Sequence, residues 1–246
     1  MEPEQIKNSM SKKVIHKANT RGHANHGWLN SYHSFSFASY YDPERMGFGL
    51  LRVLNDDTVA PGMGFGAHPH DNMEIISIPL SGALAHKDST GNDKTIRTNE
   101  VQIMSAGTGL THSEYNHSKT DPVKFLQIWV FPKERNIKPR YEQKTFKQED
   151  GQNKLQTVVS PNQDSDAIWI NQDAWFTIGT LKPGFSEAYK LHNTEHGVYA
   201  FVLEGEVEID GETLSKRDGM GITAAESISI KANTDAELLL MEVPMK

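Results

Sequence analysis

Glycine and proline interrupt this chain at short intervals, and the segments between them are brief runs of β-branched, aromatic and aliphatic residues. Runs so short cannot build a packed helix, and no long stretch keeps a sustained helical period. Strands are expected at residues 73–80, 101–105 and 125–131, and again at 175–179, 198–203, 207–209, 227–231 and 238–243. Asp210-Gly211, between Val207-Glu208-Ile209 and Glu212-Thr213-Leu214, signals a hairpin, because a tight two-residue turn of this kind needs positive φ. The fold class is therefore all-β, a sandwich or a barrel.

A length of 246 residues suits one large domain or two domains of roughly 120 residues. An internal echo favours two. The run from Glu74 to Gly82 (EIISIPLSG) resembles the run from Gly197 to Gly205 (GVYAFVLEG), each a β-run ending in a glycine turn. The polar stretches 144–154 and 161–166 are linker candidates, and the boundary is placed near the first, giving units 1–146 and 147–246. The end of the chain remains free to pack back on the first unit. The polar start, residues 1–13, is expected to be a frayed extension.

Charge and composition exclude several classes of function. Asp plus Glu number 32 against 25 Lys plus Arg, a formal net charge of −7. Direct binding to nucleic acid is disfavoured, because it needs a basic footprint that is not visible here. No apolar segment is long enough to span a bilayer, and the first residues lack the apolar centre of a secretory signal. With no cysteine there are no disulfides, thiolate metal sites or thiol nucleophile. These features fit a cytoplasmic protein.

The chemistry points to histidine. His68-Pro69-His70 and His112-Ser113-Glu114 each carry two candidate ligands at i and i+2, positions that share one face of a strand. Two such strands facing each other inside a barrel would converge four side chains on one point. Imidazole and carboxylate suit a divalent first-row transition metal, and four ligands leave room for water or substrate. Gly62, Gly64 and Gly66 lead into the first pair, and Gly107 and Gly109 into the second.

The spacing of Gly62, His68, His70, Glu74 and Gly82 resembles the first cupin motif, and that of Gly107, Gly109, His112 and Asn116 resembles the second, with Gly107 where cupins usually have proline. More closely, residues 21–29 (RGHANHGWL), 33–37 (HSFSF), 41–43 (YDP), 66–70 (GAHPH), 106–109 (AGTG) and 112–116 (HSEYN) resemble the pirin family, most strongly over residues 14–146. The likeness extends to bacterial pirin-like proteins that act as quercetin 2,3-dioxygenases. The resemblance implies a bicupin, two jelly-roll-like β-barrel domains, with metal in the N-terminal cupin only. It implies His68, His70, His112 and Glu114 as ligands, with Fe(II) the first choice and Ni, Mn, Cu, Co and Zn all compatible. The implied reaction is O₂-dependent opening of the central ring of a flavonol such as quercetin, with release of carbon monoxide. Glu114, the carboxylate placed beside the substrate oxygen, is the candidate base. Two other readings share these ligands. One is an iron-dependent regulator that binds a protein partner without turnover, and the other is a cupin reaction using the metal as a Lewis acid alone.

The remaining candidates are read as structural. Glu74 is left out of the ligand set as a supporting carboxylate. The second half has Lys190-Leu191-His192 where a His-x-His pair would be, so it lacks a ligand set, and His192 and His196 are expected at the surface or in a structural role. His23, His26 and His33 are expected to hydrogen-bond within the N-terminal segment, and Asp56-Asp57 to occupy a turn. Phe35, Phe37, Phe65, Met73, Met104, Phe125 and Trp129 are candidate barrel lining, with Phe65 or Met73 nearest the substrate.

Overall fold

The computed structural model describes residues 11–246, so the expectation of a frayed start lies outside the described residues as far as residue 10. Two sheets build each half. In the first, a seven-stranded sheet runs in the order Arg140–Thr145, Glu100–Ser105, Glu74–Ser81, Val123–Val130, Leu51–Val59, Leu29–His33, Gly22–Asn25. A four-stranded sheet, Gly64–His70, Leu110–Asn116, Ala83–Asp88, Asp93–Arg97, completes that half. The second half repeats the plan. Its seven strands are Lys12–His16, Gly219–Thr223, His196–Glu204, Ala236–Pro244, Trp175–Leu181, Gln156–Ser160 and Ile168–Trp169, and its four are Ser186–Lys190, Ser227–Ala232, Glu206–Ile209 and Glu212–Ser215. Both are cupin barrels. Among the described residues the helical elements are two short 3-10 turns, Ala18–Thr20 and Gln148–Gly151, and no helix is long and apolar enough to cross a membrane.

The two large sheets pack against each other. That explains why strands such as Glu74–Ser81 and His196–Glu204 read as nearly continuous apolar runs, since both faces are buried. Phe35, Leu51, Ile76 and Ile128 from one half share a core with Phe176, Tyr199, Phe201 and Leu239 from the other. Each fully buried aromatic or aliphatic side chain there contributes roughly 1.5–3 kcal/mol. Polar contacts fix the join. Asp56 accepts from Arg21 at 3.0 Å and from Arg217 at 2.9 Å. Buried Glu74 accepts from Ser105 Oγ at 2.8 Å and from the backbone N–H of Asn171 at 3.2 Å, the supporting role expected of it.

Three local readings change. Lys12 and Lys13 are not frayed: they lie in Lys12–His16, which adds an edge strand to the second half by pairing antiparallel with Gly219–Thr223. Asp56 and Asp57 are not in a turn but in the strand Leu51–Val59, on opposite faces. The stretch 144–154 begins within a strand, Arg140–Thr145, whereas 161–166 does run as a loop between Gln156–Ser160 and Ile168–Trp169. The hairpin at Asp210-Gly211 is as expected, with φ of 47° and 83° joining Glu206–Ile209 to Glu212–Ser215.

In the second barrel, Glu242 is 0% exposed and sits where many hydrogen bonds meet. It accepts from Tyr189 OH at 2.8 Å and from the backbone N–H groups of His192 and Asn193 at 2.9 and 3.2 Å. The Nδ1 atoms of His192 and His196 lie 2.9 and 3.1 Å from the same carboxylate. His192 also stacks on Trp175, ring centroids 4.2 Å apart. Both histidines are thus structural, as expected.

Candidate metal centre

His68 and His70 lie on Gly64–His70, the edge strand of the small sheet, where Pro69 leaves no ladder hydrogen bond unmade in the interior. The strand pairs antiparallel with Leu110–Asn116 in the register His70↔Leu110 and His68↔His112. The two strands carrying the candidate ligands are therefore neighbours in one sheet, not opposed across the barrel. Cross-strand pairing brings the rings together: centroids lie 4.9 Å apart for His68 and His70, 4.5 Å for His68 and His112, and 5.0 Å for His70 and His112. One ring nitrogen from each falls within 4.8 Å of the others. Beyond His112 the register shifts by a bulge that sets Glu114 opposite Phe65, a device found beside many active sites. Gly107 secures the approach to this strand. Its φ is +50°, and a Cβ there would meet Ile137 O at 2.1 Å.

The electrostatics suit a cation. His112 is 3% exposed, and neither of its ring nitrogens has a protein partner. Burial, with the adjacent His68, His70 and His86 rings, pushes its pKa down to about 3. Burial and His68 lower His70 to about 4. Both rings are neutral near pH 7 and offer lone pairs. His68 Nδ1 lies 2.7 Å from Gly66 O; that bond puts the proton on Nδ1 and leaves Nε2 as the donor to a metal. Burial pushes Glu114 up to about 7, against a hydrogen bond from Ser77 Oγ at 3.1 Å.

Glu114 does not group with all three histidines. It forms a second cluster with His86 and His112, again within 4.8 Å, so His112 is shared by both sets. His86 is a residue that sequence reasoning missed. The strand Ala83–Asp88 pairs on the other side of Leu110–Asn116, with His86 opposite Glu114 and Asp88 opposite His112. His86 Nε2 lies 2.9 Å from Asp88 Oδ2, while its buried Nδ1 has no protein partner. Burial opposes ionisation of Asp88, yet hydrogen bonds from Thr90, His86 and Asn92 hold it at about 2. His86-Lys87-Asp88 repeats the same i, i+2 spacing, which was the available signal.

The cluster opens into a cavity of about 370 Å³, within the usual range for small-molecule sites. Phe37, Phe65 and Trp129 line it, and Trp129 packs 5.0 Å from His70 and 5.4 Å from Phe37. Other candidates for the lining are elsewhere. Phe35 belongs to the core between the barrels, Phe125 to a separate cluster, and Met104 to a third, against which Met73 and Trp129 pack. His26 and His33 line the cavity, and His33 Nδ1 has no protein partner, so His33 does not play the local hydrogen-bonding role expected of it. His23 does, at 2.6 Å from Asn30 Oδ1.

Comparison with known proteins agrees with this architecture. The Pirin family model matches residues 14–130, and the model of the quercetinase C-terminal cupin domain matches residues 157–243. A quercetin 2,3-dioxygenase of Escherichia coli K12 is 45% identical over 230 residues, covering 94% of this chain and 98% of that protein. The chain belongs to the pirin family. A pirin-like protein of Caulobacter vibrioides is 43% identical, covering 90% of this chain and 95% of its own. Among solved structures, the bacterial pirin YhhW of Escherichia coli in complex with nickel(II) superposes with a TM-score of 0.90 at 44% identity, covering 95% of this chain and 99% of that one. This pirin thus pairs a histidine-bearing N-terminal barrel with a C-terminal barrel whose corresponding histidines are tied to Glu242.

Proposed function

We propose that this pirin is a metal-dependent dioxygenase that opens the central ring of flavonols such as quercetin with O₂ and releases carbon monoxide. His68, His70 and His112 would hold one divalent transition metal, with Glu114 completing the set from the adjoining cluster that shares His112; Fe(II) stands in first place, and Ni, Mn, Cu, Co and Zn are also accommodated by these donors. The observation that carries the reading is His112: a nearly inaccessible ring with both nitrogens unpartnered, between two other histidines. Leaving such atoms unpaired in a dry site is costly, and a cation bound there removes the cost. The nickel(II) held by the YhhW structure and the activity named for the Escherichia coli relative support the same reading.

When bound, the metal supplies a Lewis acid for the flavonol's 3-oxygen. The protein does the rest. Phe37, Phe65 and Trp129 bind the flat aromatic body and exclude water. Glu114, a carboxylate beside the position of that oxygen, takes the proton of the 3-hydroxyl. Ser77 donates to Glu114 Oε1 and holds the carboxyl group in place at the cavity.

The test is turnover by protein loaded with iron(II) under anaerobic conditions, then mixed with quercetin in air. Loss of flavonol absorbance with release of carbon monoxide is expected, and Glu114→Gln should lower the rate by about 10²-fold or more. Tight metal binding without carbon monoxide would sink the dioxygenase reading. It would turn attention to partner binding as a function of iron oxidation state.

A further inference from the structure

The cavity has a second polar wall that metal binding does not use. Strands Leu29–His33 and Leu51–Val59 pair with Ser31 opposite Asp57 and His33 opposite Asn55. These four side chains share one face of the sheet and line the cavity. All are buried, at 2% exposed for Ser31, 3% for His33 and Asn55, and 4% for Asp57. Polar groups so placed are costly unless they are hydrogen-bonded. The protein answers that need in part: Ser31 Oγ donates to Asp57 Oδ1, but Asn55 Oδ1 and His33 Nδ1 have no partner. Burial pushes Asp57 up to about 7 against the bond from Ser31, and in either protonation state its carboxyl keeps an acceptor oxygen beyond that bond. The wall therefore presents acceptor oxygens from Asn55 and Asp57, and its natural complement is a ligand with hydroxyl donors.

Register fixes where this wall lies. His33, Asn55, Gln127 and Ser77 lie in one cross-strand row, and Ser77 donates to Glu114 at 3.1 Å. The strand carrying Asn55 and Asp57 lies two places from the strand carrying Ser77, which is about 10 Å at the usual strand spacing. The cavity thus has two polar poles, with Gln127 on the strand between them and Phe37, Phe65 and Trp129 also in its lining. A flavonol bound by its 3-oxygen at the first pole would extend its pendant ring towards the second.

Resting on the flavonol reading above, we propose that Asn55 and Asp57 form a specificity subsite that accepts hydrogen bonds from phenolic hydroxyls on the substrate ring farthest from the metal. Preferred substrates are therefore hydroxylated on that ring. The subsite acts in binding and takes no part in ring opening.

The experiment uses the full chain loaded with zinc(II), which is redox-inert, so binding is read without turnover. Quercetin, with two hydroxyls on the pendant ring, and galangin, with none, are titrated under argon and followed by flavonol fluorescence. Native protein is expected to bind quercetin roughly 5–10-fold more tightly than galangin, the effect of about one hydrogen bond. In Asp57→Ala and Asn55→Leu the preference should shrink towards unity, mainly through weaker quercetin binding, with zinc affinity unchanged. Asp57→Asn, which keeps one acceptor oxygen and the side-chain shape, should retain an intermediate preference and guards against misfolding of the larger change. Equal binding of the two flavonols by native protein would overturn the subsite while leaving the flavonol reading intact. So would an equal loss for both ligands in the variants. Failure of native zinc protein to bind either flavonol would overturn the flavonol reading itself and the subsite with it.

Discussion

Replacing His112 with alanine is expected to weaken divalent metal binding by about 10²–10³-fold, the share of one ligand in the free energy of a four-ligand site. His112 is the residue common to both donor clusters, so no rearrangement of the others replaces it. Titration with zinc(II) or nickel(II) against a competing chelator reads the effect directly. His86→Asn should weaken binding less, about 10–100-fold, because His86 supports the ligands from the neighbouring strand. Unchanged affinity in His112→Ala would remove the basis for the site. The dependence on pH follows from the same groups. His70 and His112 are held at about 4 and about 3, chiefly by burial, so protons do not compete for them near neutrality. Glu114, pushed up to about 7 by burial, must lose its proton when the metal binds. Apparent affinity should therefore rise with pH up to about 7 and level above it, with a proton released at pH 6 that Glu114→Gln does not release. The metal-free fold has the opposite weakness at low pH. His16, His70 and His112 bind protons more tightly in the unfolded chain and each contributes a loss of stability as pH drops below 6.5, which the raised Glu114 and Asp57 carboxyls offset in part between about pH 7 and 4.

Glu242→Ala should destabilise the protein by about 3–5 kcal/mol, the usual cost of removing one partner from a fully buried charged network. The carboxylate is the acceptor for Tyr189 OH and for two backbone N–H groups, and both His192 and His196 rest on it. Alanine leaves these donors facing a cavity without water of their own. Urea unfolding followed by tryptophan fluorescence is a suitable readout, since Trp175 stacks on His192. Glu242→Gln, which keeps one acceptor oxygen and the shape, should lose less. A shift below about 1 kcal/mol for alanine would mean that the network is dispensable, which its burial argues against.

The all-β class, the hairpin at Asp210-Gly211 and the pairing of candidate ligands at i, i+2 were legible in the sequence because each depends on neighbours a few residues apart. The resemblance to pirins drew on local motifs of the same kind. What the sequence did not disclose depends on pairings between distant segments. That His68 lies beside His112, and not across a barrel from it, is a matter of strand order. The grouping of Glu114 with His86, and the polar wall of Ser31, His33, Asn55 and Asp57, follow from registers between strands far apart in the chain. Asp56 and Asp57 look alike in sequence, yet one ties the two barrels through Arg21 and Arg217 and the other faces the cavity. Alternation along a strand separates their faces, but only the packing of one barrel on the other decides which face meets an arginine and which meets the cavity.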